Sequence, residues 1–237
     1  MDITRRSVGM LVMLTFLAFA LCPAHAKEAV SKPRKEKAKD TSLPGNYIFR
    51  LRVDGFNRYY TVHVPPGYDG KSLVPAVVMF HAGGSNSRAV QLETGWNAKA
   101  DQETFLAVYP DALPPDASRP GNSRYNPQLW NDGSGRFHQC RVNVDDVGFT
   151  RAMLEDLGKR YKVNKRRIYA TGLSNGAAMV FRAGAEISGR FAAIAPVGGS
   201  CWLDKVQLKR MVPLCYITGS ADSLNKIEGG MAGVVEG

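Results

Sequence analysis

Five uninterrupted apolar runs follow one another through this 237-residue chain. They are VPAVVMFH, TFLAVYP, RRIYATG, FAAIAPVGG and VPLCYITG. Apolar residues that do not alternate with polar ones suit strands that are buried on both faces of a sheet. Such a sheet must be covered on both sides, so these runs restrict the chain to a layered α/β architecture.

Helical patterns lie between these runs. In DDVGFTRAMLEDLGKRYKV, Asp145 or Asp146 is the expected N-cap, and acidic residues precede basic ones, as the helix dipole favours. The apolar residues of this segment form one stripe: Phe149, Met153, Leu154, Leu157 and Tyr161. Strands that alternate with helices predict an α/β fold with a mostly parallel central sheet flanked by helices. Before them, residues 47–53 and 59–64 are predicted to form a hairpin around Asp54-Gly55.

The first 43 residues have a different composition. Arg5 and Arg6 precede an apolar run and the tripeptide Ala24-His25-Ala26, which predicts a cleaved signal peptide over residues 1–26 and a secreted, extracellular or periplasmic protein. Cys22 leaves a lipid-modified start as the alternative. Residues 27–43 are predicted to be a basic flexible linker, because their first fourteen residues include almost no large apolar side chain. Residues 44–237 form the predicted folded domain.

Charge and composition exclude several kinds of partner. The formal net charge is +10, of which the linker segment 27–40 contributes six basic and three acidic residues. No basic patch is interleaved with aromatic residues, so we expect no nucleic-acid partner. No apolar run after the signal is long enough to cross a bilayer, so we expect no stable membrane anchor. No Cys/His cluster has metal-ligand spacing, so we expect no metal, and we expect no cofactor. We also expect a monomer.

A serine between two glycines is the most specific chemical signal. Gly172-Leu173-Ser174-Asn175-Gly176 follows an apolar run and precedes a helical pattern. This order of strand, sharp turn and helix is the context of the GxSxG nucleophile elbow. We therefore predict that Ser174 is a nucleophile; a chance glycine-rich loop is the alternative.

Two further segments supply partners for that serine. His81-Ala82-Gly83-Gly84 follows an apolar run where an oxyanion loop of the HGGG type would lie. The backbone N–H of Asn175 and one from Ala82, Gly83 or Gly84 are the predicted oxyanion donors, and His81 is expected to anchor the loop. Asp222 follows the last apolar run and is the predicted acid, with an ordinary turn residue as the alternative.

The long loop at residues 112–141 carries the predicted substrate-binding residues. It is rich in Pro, Gly, Asn and Ser, and loops of this length inside a domain are often functional. Its aromatic residues Trp130 and Tyr125 are predicted to contact substrate, and packing inside the protein is the alternative. Cys140 in this loop and Cys201 are the tentative disulfide, with Cys215 expected to be a buried thiol.

The motifs FHAGGSN, YPDAL, LWNDGSG, VDDVGF, YATGLSNGAAM, FAAIAPVGG and ITGSAD together resemble the secreted polyhydroxybutyrate depolymerase-like esterases, which include feruloyl and acetylxylan esterases. The resemblance implies an α/β-hydrolase fold and hydrolysis of polyester, feruloyl or acetyl esters. By position it implies that Ser174 is the nucleophile, that Asp222 is the acid and that residues 81–84 form the oxyanion loop. It also places the catalytic histidine well beyond the acid.

No histidine follows Ser174 in this chain. His63 is expected to be a sheet residue, and His138 has the wrong chain order for a base of this fold. We therefore expect the domain at 44–237 to lack its carboxyl-terminal part through truncation or a frameshift. A catalytically inactive protein that binds sugars or aromatic acids, using Trp130, Tyr125 and Trp202, is the second hypothesis. A basic wall-binding or nucleic-acid-binding protein is the third.

Overall fold

The computed structural model describes residues 41–225. The predicted signal peptide and the linker up to residue 40 lie outside the described residues, as do residues 226–237. Within the described part, no helix is both long and apolar enough to span a membrane. No group of three His, Cys, Asp or Glu side chains there is arranged to hold a metal ion.

One mixed sheet forms the centre of the described domain. Its strands lie in the order β1-β2-β4-β3-β5-β6, and the last four are parallel to one another. The strands are β1 Gly45–Val53, β2 Phe56–Val64, β3 Val74–Phe80, β4 Leu106–Pro110, β5 Val163–Leu173 and β6 Ala193–Val197. The helices are α1 Ser87–Glu93, α2 Trp96–Glu103, α3 His138–Arg141, α4 Asp146–Arg160 and α5 Asn175–Glu186, and a 3-10 turn covers Ser188–Arg190. The predicted mostly parallel sheet flanked by helices is confirmed.

The predicted hairpin is also confirmed. β1 and β2 pair in antiparallel register, and the turn between them holds Asp54 and Gly55 at φ values of 48° and 77°. Two positive φ angles in a two-residue turn match the right-handed twist of the flanking strands.

Helix α4 shows how the predicted apolar stripe builds the core. All five residues of the stripe are buried, and Tyr161 packs edge-on against Phe49 of β1. Asp145 is the N-cap, because its side chain accepts a hydrogen bond from the N–H of Gly148. Asp146 points inward instead, where its carboxylate pairs with the buried guanidinium of Arg58 on β2.

The fifth apolar run differs from its predicted form. Residues 213–217 meet β6 through two isolated parallel bridges, Ile194 with Leu214 and Val197 with Ile217, and do not form a full strand. Their side chains are exposed, and the thiol of Cys215 is exposed where the sequence predicted burial. Within residues 41–225 this run is the outermost element on its side of the sheet, where the ring of Tyr216 packs edge-on against Phe181 of α5 at 5.6 Å.

Candidate active site

The turn that carries Ser174 has the geometry of a strained elbow. Ser174 stands between the end of β5 and the start of α5, with φ 56° and ψ −118°. A non-glycine residue with positive φ costs about 1–3 kcal/mol, and such strain collects at functional sites. The residue is exposed while Asn175 beside it is buried. The turn therefore presents the serine hydroxyl at the head of the helix.

The two glycines of the elbow are required by close packing. A Cβ at residue 176 would lie 2.3 Å from the carbonyl oxygen of Phe80 at the end of β3. A Cβ at residue 172 would lie 2.6 Å from the backbone of Gly176. These distances are below any normal contact, so only glycine lets β5, α5 and β3 approach each other this closely.

Backbone donors meet the elbow from the loop after β3. The N–H of Gly84 is already used, since it donates to the oxygen of Gln128 at 2.8 Å. Within residues 41–225, no hydrogen bond uses the N–H groups of Ala82, Gly83 or Asn175. The N–H of Asn175 is free because it belongs to the first turn of a helix. The N–H groups of Ala82, Gly83 and Asn175 are therefore available to a ligand, and that of Gly84 is not; the role of the three as oxyanion donors stays a prediction.

His81 anchors the loop that follows β3, as the sequence predicted. The ring is buried, and its Nε2 accepts a hydrogen bond from the N–H of Ala112 at 3.1 Å. Its Nδ1 must then carry the proton that it donates to the oxygen of Ala82 at 2.8 Å. Burial lowers the pKa of His81, although the nearby carboxylates of Asp111 and Asp146 oppose that shift. His81 is a neutral structural imidazole with both nitrogens engaged.

The other histidines of the described part lie elsewhere. His63 on β2 uses both ring nitrogens, at 2.9 Å from Asn46 Oδ1 and 2.8 Å from Asp101 Oδ1, which confirms its expected role as a sheet residue. His138 is exposed on α3 and lines a groove with Phe56 and residues 113–117. No histidine among residues 41–225 forms a hydrogen bond with Ser174.

Asp222 lies close to the elbow at the carboxyl end of β6. The N–H of Ser174 donates to the oxygen of Val197 at 3.0 Å, and Asp222 sits beside the next residue, Gly198. Its carboxylate accepts hydrogen bonds from the N–H groups of Leu224 and Asn225 and from the Asn225 side chain. The bonds from the Asn225 and Leu224 backbone are the main reason that the pKa of Asp222 is lowered. A stable carboxylate therefore flanks the same strand end as Ser174.

The two aromatic residues predicted to contact substrate have different environments. Trp130 is fully buried, its indole N–H donates to the oxygen of His81 at 3.0 Å, and its ring packs against Phe80. The prediction that Trp130 contacts substrate is wrong, because the indole is part of the core. Tyr125 is 78% exposed, and the guanidinium of Arg124 packs over its ring, so its role stays a prediction.

The side chain of Asn175 has a second task, which the sequence analysis missed. Its Oδ1 accepts from the N–H of Trp130 at 2.8 Å, and its Nδ2 donates to the Trp130 oxygen at 3.2 Å. The same Nδ2 donates to Oδ2 of the buried Asp132 at 2.9 Å. The amide thus ties the residue after the nucleophile to the tryptophan loop. The sequence signal was an amide next to the serine, together with the WND triplet.

A buried ion pair holds the other side of this loop. Asp146 Oδ1 lies 2.5 Å from the guanidinium of Arg58 on β2, and both side chains are almost fully buried. Asp146 Oδ2 accepts a hydrogen bond from the N–H of Asn131 at 2.7 Å. The Arg58 guanidinium also lies 4.0 Å from the ring centre of Phe149. The VDDVGF motif therefore positions the tryptophan loop as well as beginning α4.

The tentative disulfide does not form in the structure. Cys140, Cys201 and Cys215 are free thiols. The Cys140 thiol is instead engaged by Asp132, with Sγ 3.4 Å from Oδ1. That contact turns Cys140 toward the loop interior, whereas Cys201 is exposed on the segment after β6.

Known proteins are similar to this chain in sequence. No family model matches it. It is 28% identical over 190 residues to feruloyl esterase B of Piromyces equi, covering 76% of this chain and 32% of that protein. It is 28% identical over 137 residues to poly(3-hydroxyalkanoate) depolymerase C of Paucimonas lemoignei, covering 58% of this chain and 30% of the depolymerase. The predicted resemblance to depolymerase-like and feruloyl esterases is confirmed, and the chain spans about a third of these relatives' length.

Solved structures share the fold. The acetyl xylan esterase from Aspergillus awamori matches with a TM-score of 0.50 and 16% identity, covering 69% of this chain and 57% of that one. A native structure called sOPH matches with a TM-score of 0.53 and 23% identity, covering 69% of this chain and 54% of that one. The predicted α/β-hydrolase fold is confirmed, and the chain covers part of that longer fold.

Proposed function

We propose that this chain is the nucleophile-bearing part of a secreted serine esterase that hydrolyses carboxylic esters through an acyl-serine. The observation that carries the proposal is the strained, exposed Ser174 beside three unused N–H groups. A nucleophile and a ready oxyanion site are two of the parts that acyl transfer requires, and a base is the third. The similarity to feruloyl esterase B and to the depolymerase supports the ester as the bond that is cleaved.

The mechanism proceeds in two steps. The Ser174 hydroxyl loses its proton to a base as its oxygen attacks the ester carbonyl, and the N–H groups of Asn175 and of Ala82 or Gly83 hold the oxyanion. The intermediate expels the alcohol, which takes up the proton, and leaves an acyl group on Ser174. Water then attacks the acyl carbonyl, releases the acid and returns the proton to the serine oxygen.

The base of this mechanism is not among the described residues. We propose that a histidine from a longer form of the protein fills this role and that Asp222 orients it. The carboxylate lies at the strand end that Ser174 contacts, and its lowered pKa keeps it ionised near neutral pH. Without an imidazole, the hydroxyl stays at its ordinary pKa and is a weak nucleophile.

Imidazole added in solution tests this assignment. The chain should hydrolyse p-nitrophenyl acetate slowly alone, and faster with millimolar imidazole, in a manner that saturates. The Ser174→Ala variant should show only the background rate of imidazole itself. If the two proteins give equal rates at every imidazole concentration, Ser174 is not the nucleophile.

The second candidate function is a non-catalytic binding protein for sugars or aromatic acids. The burial of Trp130 removes the aromatic residue that best supported it. Trp202 is half-buried beneath the guanidinium of Arg136 at 4.1 Å, so its ring face is already occupied. Of the three aromatic residues named for this hypothesis, Tyr125 is the exposed one, and Arg124 already packs over its ring, so we favour the esterase.

Secretion and substrate range are also proposals. The signal-like residues 1–26 support export, and residues 27–43 would then be a linker at the start of the mature protein. We propose that the substrates are polyester, feruloyl or acetyl esters. Turnover of methyl ferulate compared with hydroxybutyrate oligomers, in a form extended to include a histidine, would separate the first two classes.

A further inference from the structure

A strongly basic segment lies at the end of the sheet opposite to Ser174. Six of the nine residues 159–167 are Lys or Arg, and none is acidic. They follow the end of α4 and open β5, whose other end carries the serine. Six residues of strand, 168–173, separate residue 167 from Ser174, a distance of roughly 20 Å. A ligand bound to this basic segment would therefore not cover the serine.

A local break in the sheet pushes three of these side chains outward. Val163 pairs with Val74 and Ile168 pairs with Ala76, so residues 164–167 face only one residue of β3. Lys165, Arg166 and Arg167 in this bulge are all exposed. Bulges re-aim side chains and are built features of a sheet. The bulge therefore displays three consecutive cations that a regular strand would have alternated between its faces.

A groove runs beside the bulge, which we call the basic groove. Its volume is about 440 Å³, and it is lined by Lys159, Lys165 and Arg190, by one acidic residue, Glu155, and by the buried Leu154 and Ile168. Within residues 41–225, Arg190 pairs with Glu155 at 2.8 Å, whereas Lys159 and Lys165 have no acidic partner.

Helix electrostatics explains only part of this charge. Lys159 and Arg160 stand in the last turn of α4, where cations interact favourably with the helix dipole. Arg160 also pairs with Asp156. Neither effect explains the positive charge of the bulge. Its adjacent cations repel each other, and no described acidic side chain lies within 4.0 Å of them to offset that repulsion.

We propose that the basic groove and the bulge bind an acidic polysaccharide, through carboxylates spaced along its chain. The cations are spread along the end of α4 and the start of β5 and do not converge on one point. This spacing suits a ligand with repeated single charges. The guanidinium groups of Arg166 and Arg167 can pair with planar carboxylates through two hydrogen bonds. The choice of a polysaccharide rests on the proposed function, because one relative in sequence is named as an acetylxylan esterase and xylanase, and acetylxylan is a polysaccharide ester.

Other polyanions fit the surface less well. Single-stranded nucleic acid is held by aromatic side chains that stack on bases, and no aromatic residue lines the basic groove. Membrane surfaces are bound by basic residues next to exposed large apolar side chains. The apolar residues of the groove, Leu154, Val163 and Ile168, are buried.

Affinity for polygalacturonate, measured at low salt with the 237-residue chain, tests the proposal. The variant Lys165→Gln/Arg166→Gln/Arg167→Gln should bind about tenfold more weakly than the wild type. The control Arg88→Gln/Arg119→Gln/Arg124→Gln removes the same charge from other exposed positions and should bind almost as tightly as the wild type. Equal thermal midpoints for the two variants would exclude misfolding. Neutral xylan should bind neither to the wild type nor to the variants.

Several results would overturn the proposal. Equal losses in both variants would mean that only net charge matters, and no loss in the bulge variant would assign the affinity to the basic residues 27–40. Tighter binding to duplex DNA or to phosphatidylglycerol vesicles, lost in the same variant, would assign the surface to another ligand. The Ser174→Ala variant should bind polygalacturonate normally, so a failed esterase assignment would leave this result unchanged.

Discussion

The inner side of the site and the segment that carries Asp222 are built in different ways. On the inner side, Asn175, Asp132 and Asp146 are buried, and each accepts or donates several hydrogen bonds. The outer segment, residues 198–225, has many exposed large apolar side chains and meets β6 through two isolated bridges. The proposed oxyanion donors are therefore fixed by the core, whereas the proposed acid, Asp222, is placed by a surface segment that contributes little to the core.

Asp146 offers the largest expected effect on this contrast. Asp146→Ala leaves the buried Arg58 guanidinium without its partner and frees the N–H of Asn131. Loss of one partner of a buried ion pair costs about 3–5 kcal/mol. Urea unfolding should show that loss, and the matched variant Asp145→Ala, which removes only an N-cap, should lose about 1 kcal/mol. Equal losses would mean that Asp146 acts only as part of the helix start.

Asn175 should give the next largest effect. Asn175→Ala removes three hydrogen bonds and leaves the N–H of Trp130 unsatisfied in the core. A buried unsatisfied group costs about 1–3 kcal/mol. The free energy of unfolding should fall by that amount, and the acceleration of ester hydrolysis by imidazole should weaken as the oxyanion donor shifts. A stable variant with unchanged rates would show that the amide does not position this donor.

The pH dependence of stability tests the neutral imidazole of His81. Burial lowers the pKa of this side chain in the native state, so the unfolded chain binds the proton more readily below about pH 6.5. This contribution to stability is present above that pH and is lost as the pH falls, by at most about 1.4 kcal/mol per pH unit. Urea unfolding between pH 7.5 and 5 should show the decline. His63→Gln should keep it, and His81→Gln should flatten it.

The outer segment should tolerate substitution. Ile217 is half exposed, and its backbone forms the bridge to β6, so Ile217→Thr keeps the bridge and changes only a surface side chain. Surface substitutions of this kind alter stability by about 0.5 kcal/mol or less. Ile194→Thr on the neighbouring β6, where the residue is buried, should cost clearly more. Equal losses in the two variants would place residues 213–217 in the core and remove the contrast.

The sequence predicted those features that follow from local pattern. The strand, turn and helix around Ser174 follow from apolar periodicity and glycine spacing, and the α4 stripe follows from its 3.6-residue period. Trp130 was misplaced because an indole in a polar loop has the same composition whether it faces substrate or the core. Its burial depends on His81, which is distant in the chain, and on the amide of Asn175. The fifth run was predicted as buried because hydrophobicity indicates a strand but not what covers it.

In the proposed mechanism, Ser174 is a nucleophile held in a preformed elbow. Reaction of the 237-residue chain with a fluorophosphonate, in the presence of imidazole, tests it most directly by intact mass and peptide mapping. We predict a single adduct on Ser174 that forms faster as imidazole is raised, and no adduct in Ser174→Ala. Labelling at other residues, or equal labelling of the wild type and Ser174→Ala, would contradict the account.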